Sequence, residues 1–167
     1  MRVLVTAATK HGATSEVATV IAEVLNGAGV EAVALHPSAI TTIEDYDAVI
    51  LGSAVYVGHW LDPARRFAER FGPELTGRPV WLFSSGPIGA PAKPEEEPLD
   101  VAALMGQLGA REHRVFAGLV DRTRLGLAER AIVAAVRAPD GDFRPWPEIR
   151  AWAAGIAKEL RAPVAAG

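Results

Sequence analysis

Short, unbroken apolar runs recur along the chain at residues 3–6, 30–35, 48–51, 80–83 and 115–120. Runs such as A-V-I-L and V-W-L-F do not alternate with polar residues, which predicts strands covered on both faces. Helical spacing fills the intervals. Val17, Val20, Ile21, Val24 and Leu25 form one apolar stripe that Asn26-Gly27 is placed to stop. Ala64, Phe67, Ala68, Phe71 and Leu75 form a second, with Asp62 as the expected N-cap and Pro63 at the first helical position. Val101, Leu104, Met105 and Leu108 make a third, and the last helix, approached through Pro147, carries Ile149, Trp152, Ala153, Ile156, Ala157 and Leu160.

Strand and helix therefore alternate throughout, the pattern of a doubly wound α/β fold: five parallel strands with helices on both faces. No linker or internal repeat interrupts it, so a single unit over residues 1–167 is expected. Two stretches leave the rhythm. Residues 86–100, rich in proline and acid, read as a surface loop, and residues 121–147 read as an extra helix and loop inserted before the last helix.

Composition narrows the chemistry. The chain of 167 residues is half hydrophobic, with a mean hydropathy of +0.17 and no cysteine. Thiol catalysis, disulfides and cysteine-held metal centres are thereby excluded. No basic leader and no apolar run of about 18 residues is found, so a cytoplasmic location is the expectation. The net charge of −3 is uneven: residues 111–137 hold six arginines against three acids. That segment could meet an anionic ligand or an anionic membrane surface at the inner face of the cell membrane, or its arginines could stay solvated while Leu125, Ala128, Ile132 and Val136 pack inward. Nothing points to nucleic acid or to a bound metal.

In an open α/β sheet, ligands gather outside the carboxyl ends of the strands, where the strand order reverses. Three loops should meet there. The first, T-K-H-G-A-T (Thr9, Lys10, His11, Gly12, Ala13, Thr14), opens directly into a helix, whose unpaired N–H groups and dipole favour an anion. It lacks the glycine-lysine pattern of a triphosphate loop and the G-x-G-x-x-G of a dinucleotide loop, and its length suits a single terminal phosphate. The second, G-S-A-V-Y-V-G-H-W, offers small residues for close approach and planes for stacking. The third, S-S-G-P, again exposes backbone amides. An acidic pair after strand one and an aspartate after strand three, required of a phospho-receiver, are replaced by Thr6-Ala7 and Gly52-Ser53.

With these three motifs in order, the chain resembles the flavodoxin-like FMN proteins. Within them it is most similar to the branch of menaquinone-dependent protoporphyrinogen oxidases, through G-S-A-V-Y-V-G-H and the approach to the last helix, G-D-F-R-P-W-P-E-I-R-A-W-A. The resemblance implies strand order 2-1-3-4-5 and FMN as cofactor. It implies that Thr9, Lys10, His11, Gly12, Ala13 and Thr14 hold the phosphate, although flavodoxins commonly carry Asn where Ala13 stands. Ser53, Ala54, Val55, Tyr56, Val57, Gly58 and His59 would flank the flavin ring, with Tyr56 stacking. Ser84, Ser85, Gly86 and Pro87 would meet the ribityl chain and pyrimidine edge. The flavin would carry the redox chemistry, with no protein catalytic residue. The implied activity is oxidation of a protoporphyrinogen-like substrate with a quinone acceptor. A soluble electron carrier working with a redox partner protein is the alternative.

Overall fold

The computed structural model describes residues 1–86, 100–120, 123, 126–135 and 141–163. In chain order the first elements are β1 (Arg2–Ala8), α1 (Ala13–Gly27), β2 (Glu31–Leu35), β3 (Ala48–Tyr56), β4 (His59–Trp60) and α2 (Asp62–Leu75). They are followed by β5 (Val80–Ser85), α3 (Val101–Leu108), β6 (Glu112–Phe116), β7 (Leu119–Val120), α4 (Leu127–Ala135), β8 (Gly141–Asp142) and α5 (Trp146–Arg161).

Five parallel strands lie in the order β2-β1-β3-β5-β6. This is the expected 2-1-3-4-5 arrangement once the two-residue strand β4, antiparallel to β3, is set aside. Val5, Ile50, Trp81 and Glu112 form one row across four of the strands. The three central strands are buried on both faces, which is why they read as continuous apolar runs rather than alternating ones.

Their side chains divide into two cores. On one face Val5, Ile50 and Phe83 pack against Ile21 of α1 and Trp152 and Ile156 of α5; on the other Leu4, Leu51 and Leu82 pack with Phe67 and Phe71 of α2 and Leu108 of α3. Gly52 has a packing reason: a Cβ built there would stand 2.3–2.6 Å from the Phe83 ring. The chain leaves β1 toward the first face and β3 toward the second, so the loops after β1, β3 and β5 share the carboxyl edge at the reversal of strand order.

Three sequence expectations shift. Asp62 is the first residue of α2 rather than its N-cap; Leu61 occupies the cap position and Asp62 pairs with Arg65 one turn on. The fifth strand of the sheet runs over Glu112–Phe116 instead of residues 115–120, because an edge strand tolerates the polar start E-H-R, while Leu119 and Val120 leave the sheet to pair with Asp142 and Gly141. Asn26 does more than stop α1: its amide bonds the carbonyls of Ala22 and Ala32 and accepts the N–H of Ala32, tying the helix end to β2.

Candidate functional site

The loop after β1 is organised from within. The hydroxyl of Thr9 accepts the N–H of Gly12 at 2.9 Å, and Gly12 takes a left-handed conformation (φ 91°) at the N-cap of α1. The first helical hydrogen bond runs from Glu16 N–H to Gly12 C=O at 3.1 Å. The N–H groups of Ala13, Thr14 and Ser15 thus precede the helical ladder, as the first donors of any α-helix do. Thr14 itself is buried, at 2% exposure.

Lys10 and His11 stand over this turn, and a carboxylate from a distant helix joins them. Glu129 of α4 divides its two oxygens between these side chains: Oε1 is 2.8 Å from Lys10 Nζ, and Oε2 is 2.5 Å from His11 Nε2. Burial pushes the Glu129 carboxyl up, but hydrogen bonds from Lys10 and His11 and the charges they carry outweigh that and hold it below the usual carboxylate range. Lys10 also reaches the second loop, with Nζ 4.3 Å from the centroid of the Tyr56 ring.

From the other side the loop is clamped by Arg144, whose side chain is only 7% exposed. Its guanidinium donates to the carbonyl of Ala13 at 3.3 Å, pairs with Glu16 in the first turn of α1, and meets both oxygens of Asp142 at 2.8 Å. It also lies 4.6 Å from the Trp146 ring centroid. The hydrogen bonds that Arg144 donates are the main reason Asp142 is held below the ordinary aspartate range, and the Asp142 and Glu16 carboxylates that accept them hold Arg144 firmly protonated.

The second loop is a tight hairpin. Val57 (φ 49°) and Gly58 (φ 77°) are both left-handed, the two-residue turn that joins twisted antiparallel strands, here Val55-Tyr56 with His59-Trp60. The turn lifts Tyr56 and Val57 into solvent, at 36% and 71% exposure. His59 turns away toward α3, with Nδ1 3.2 Å from Asp100, which also accepts the backbone N–H of Trp60.

The serines of the second and third loops are internal. Ser53 donates to the carbonyl of Ala54 and accepts the N–H of Leu61; Ser84 accepts from Trp60 Nε1 and lies 2.8 Å from His113 Nε2. Gly86 (φ 88°) gives its N–H to Phe116, and Gly118 approaches it so closely that an added Cβ would lie 3.3 Å from the Gly86 nitrogen. The structure therefore gathers Thr9, Lys10, His11, Gly12, Ala13, Thr14 and Tyr56 into one patch, aligns Ser53, Ala54, Ser84 and Ser85 at neighbouring strand ends, and turns His59 aside. Pro87 lies outside the described residues. Of the basic segment, Arg111 pairs with Glu159 and Arg114 with Glu112, on the edge strand or at its start, whereas Arg122, Arg124 and Arg137 fall outside the described residues.

The fold has counterparts among known proteins. A family model described as a flavodoxin domain matches residues 4–144. The chain belongs to the flavodoxin domain family. No curated protein sequence matches it. Among solved structures, a flavodoxin from the domain Archaea superposes with a TM-score of 0.67 at 16% identity, covering 97% of this chain and 100% of that one. A cysteine-to-serine mutant of flavodoxin from Pseudomonas aeruginosa gives 0.67 at 19% identity, with 97% and 100% covered. The rubredoxin oxygen:oxidoreductase of Desulfovibrio gigas gives 0.67 at 18% identity, covering 99% of this chain but 37% of that longer one. At such identities the likeness is one of fold. The cofactor that a flavodoxin domain implies is FMN, and the class of function is redox.

The donors present suit that cofactor: a lysine, a histidine and a helix N-terminus for a phosphate, and an exposed tyrosine for a flat ring. Glu129 lies outside the segments that carry the flavodoxin resemblance, and although Asp142 and Arg144 fall within G-D-F-R-P-W-P-E-I-R-A-W-A, the resemblance gives neither a role at the loop of residues 9–14. The Asp-x-Arg spacing of residues 142–144 was the one legible signal, since it allows a carboxylate and a guanidinium to fold back on each other. Among the described residues no helix is long and apolar enough to cross a membrane, and no group of three His, Asp or Glu side chains is set to hold a metal.

Proposed function

We propose that this flavodoxin domain holds FMN across the loops that follow β1, β3 and β5. The observation that carries the reading is the meeting of Lys10 with Tyr56, which joins the cationic phosphate loop to an exposed aromatic plane. In this reading residues 9–14 take the phosphate through the N–H groups at the start of α1 and through Lys10 and His11. Tyr56 stacks on the ring, while backbone groups at residues 53–59 and 84–87 line its edges. Bound FMN supplies the electron transfer. The protein orients it and limits the access of water through the hairpin at Val57-Gly58.

The test is the absorbance and fluorescence of FMN titrated with the purified protein. Flavin bands that shift and fluorescence that is quenched are expected, with riboflavin bound more weakly because it has no phosphate. Unchanged bands and unquenched fluorescence at micromolar protein would overturn the assignment.

The finer reading is an oxidoreductase that takes electrons from a protoporphyrinogen-like substrate and passes them to a menaquinone-type acceptor. Its support is the segment G-S-A-V-Y-V-G-H, together with α4 reaching the phosphate loop through Glu129 from the place where that branch carries its long insert. Arg111 and Arg114 do not contribute, since both are paired along the β6 edge. Membrane contact through residues 121–147 belongs to this reading. Anaerobic oxidation of protoporphyrinogen with a menaquinone analogue separates it from an electron carrier. Turnover no faster than the FMN-free control assigns the carrier role, in which a redox partner protein replaces the small substrate.

A further inference from the structure

We propose that Glu129 is an internal stand-in for the cofactor's phosphate, so that α4 and the phosphate compete for the loop of residues 9–14. The proposal rests on the FMN reading for the identity of the competing anion, and on the Glu129 contacts for everything else.

The carboxylate is placed as a bridging anion. One oxygen meets Lys10 at 2.8 Å and the other His11 at 2.5 Å, so the cationic side chains of the loop are already matched to a negative group. A phosphate monoester carries a charge of roughly −1.5 to −2 near neutral pH. Setting it against the same side chains at contact distance from Glu129 would bring in more negative charge than Lys10 and His11 can balance. One anion must leave.

The helix that carries Glu129 is suited to be the one that moves. Among the described side chains of α4, Leu127, Ala128, Arg130, Ala131 and Ala134 are exposed, and Glu129 is the one turned inward. Among the described residues α4 shares no extended packing with another element, in contrast to α1 and α5, which pack on each other and on the sheet. Among the described contacts of α4, the Glu129 carboxylate is the one that reaches the loop of residues 9–14, and a stronger anion would displace it. In the ligand-free protein the same contact keeps Lys10 and His11 neutralised. The loop is thereby closed to singly charged anions and opens to a phosphate, whose greater charge displaces the carboxylate.

The experiment compares the full-length protein with E129Q, which keeps the shape and removes the charge, and with E129A as a second variant, each checked for an unchanged melting profile of the sheet. Hydrogen exchange is followed at the amides of residues 127–135. Exchange there should speed up about fivefold in E129Q without ligand, and by a similar factor in the parent protein when inorganic phosphate or FMN is added, but not with riboflavin. FMN should bind E129Q about tenfold more tightly than the parent, with riboflavin unchanged.

Equal protection of residues 127–135 in both proteins, with and without phosphate, would overturn the proposal. So would FMN binding to the parent with no gain in E129Q, an outcome that leaves the FMN assignment standing. If instead phosphate and E129Q each release α4 but FMN binds neither protein, the competition holds and the FMN assignment falls.

Discussion

The guanidinium of Arg144 lies 3.3 Å from the backbone oxygen of Ala13, across 131 residues of sequence. Flavodoxins commonly place an asparagine side chain at the Ala13 position. Here the alanine presents only its backbone, and an arginine from the approach to the last helix holds that backbone from outside.

Replacing Arg144 should therefore loosen the loop of residues 9–14 as well as the fold. Its side chain is almost fully buried and meets Asp142, Glu16 and Ala13 together, so Arg144→Ala leaves a carboxylate and a carbonyl without their partner. A loss of about 2–4 kcal/mol in unfolding free energy is expected, measured by urea denaturation. Arg144→Lys should recover less than half of it, because an ammonium cannot reproduce the forked contacts. A loss below about 0.5 kcal/mol would remove the clamp from the account.

The Asp142–Arg144 pair also sets an acid limit. Because the folded carboxyl of Asp142 titrates below its ordinary value of 3.8, its contribution to stability is fully present above that value and is lost as pH falls through the lower folded value. Denaturation series between about pH 5 and pH 2 should show the parent losing stability more steeply than Asp142→Asn, which has no proton to take up. Parallel curves would contradict the assignment.

Gly52 is required by the packing of Phe83. A methyl group at this position would sit inside the ring's contact distance, so Gly52→Ala should cost about 1–3 kcal/mol. Part of the loss should return in the double variant with Phe83→Leu, whose smaller side chain can move aside. Strict additivity of the two single effects would show that the contact is not the cause.

Val57 is a β-branched residue in the left-handed region, beside Gly58, at an exposed turn. Val57→Asn should raise the stability of the ligand-free protein by about 1 kcal/mol, since asparagine tolerates this conformation. If the hairpin also borders the flavin, the same variant should change FMN affinity while leaving the fold intact, read by titration beside the thermal melt. A destabilised variant would argue that the valine side chain is engaged where it now projects into solvent.

Much of the architecture was legible along the chain because burial on both faces leaves a local trace. The runs A-V-I-L and V-W-L-F became β3 and β5, and the stripes at Val17–Ile21 and Phe67–Phe71 became the faces of α1 and α2 that meet the two cores. The loop T-K-H-G-A-T was legible for the same reason, since a glycine at a helix start needs only its neighbours to take its left-handed form. The polar strand β6 begins three residues before the apolar run at 115–120, because an edge strand is apolar on too few positions for its start to stand out.

Residues close along the chain were enough to settle the succession of strands and helices, the absence of cysteine, and a short glycine-bearing loop that opens into a helix after the first strand. Each follows from composition or from residues within a few positions of one another. Which groups face that loop depended on the folded arrangement. It brought Glu129 onto Lys10 and His11, and Arg144 onto Ala13, while it turned His59 toward Asp100 and the hydroxyl of Ser84 toward Trp60 and His113. The reason is physical: a charge or a hydroxyl is equally at home in water or against a partner, so its position in sequence carries no preference, and only the packing of distant elements selects the partner it meets.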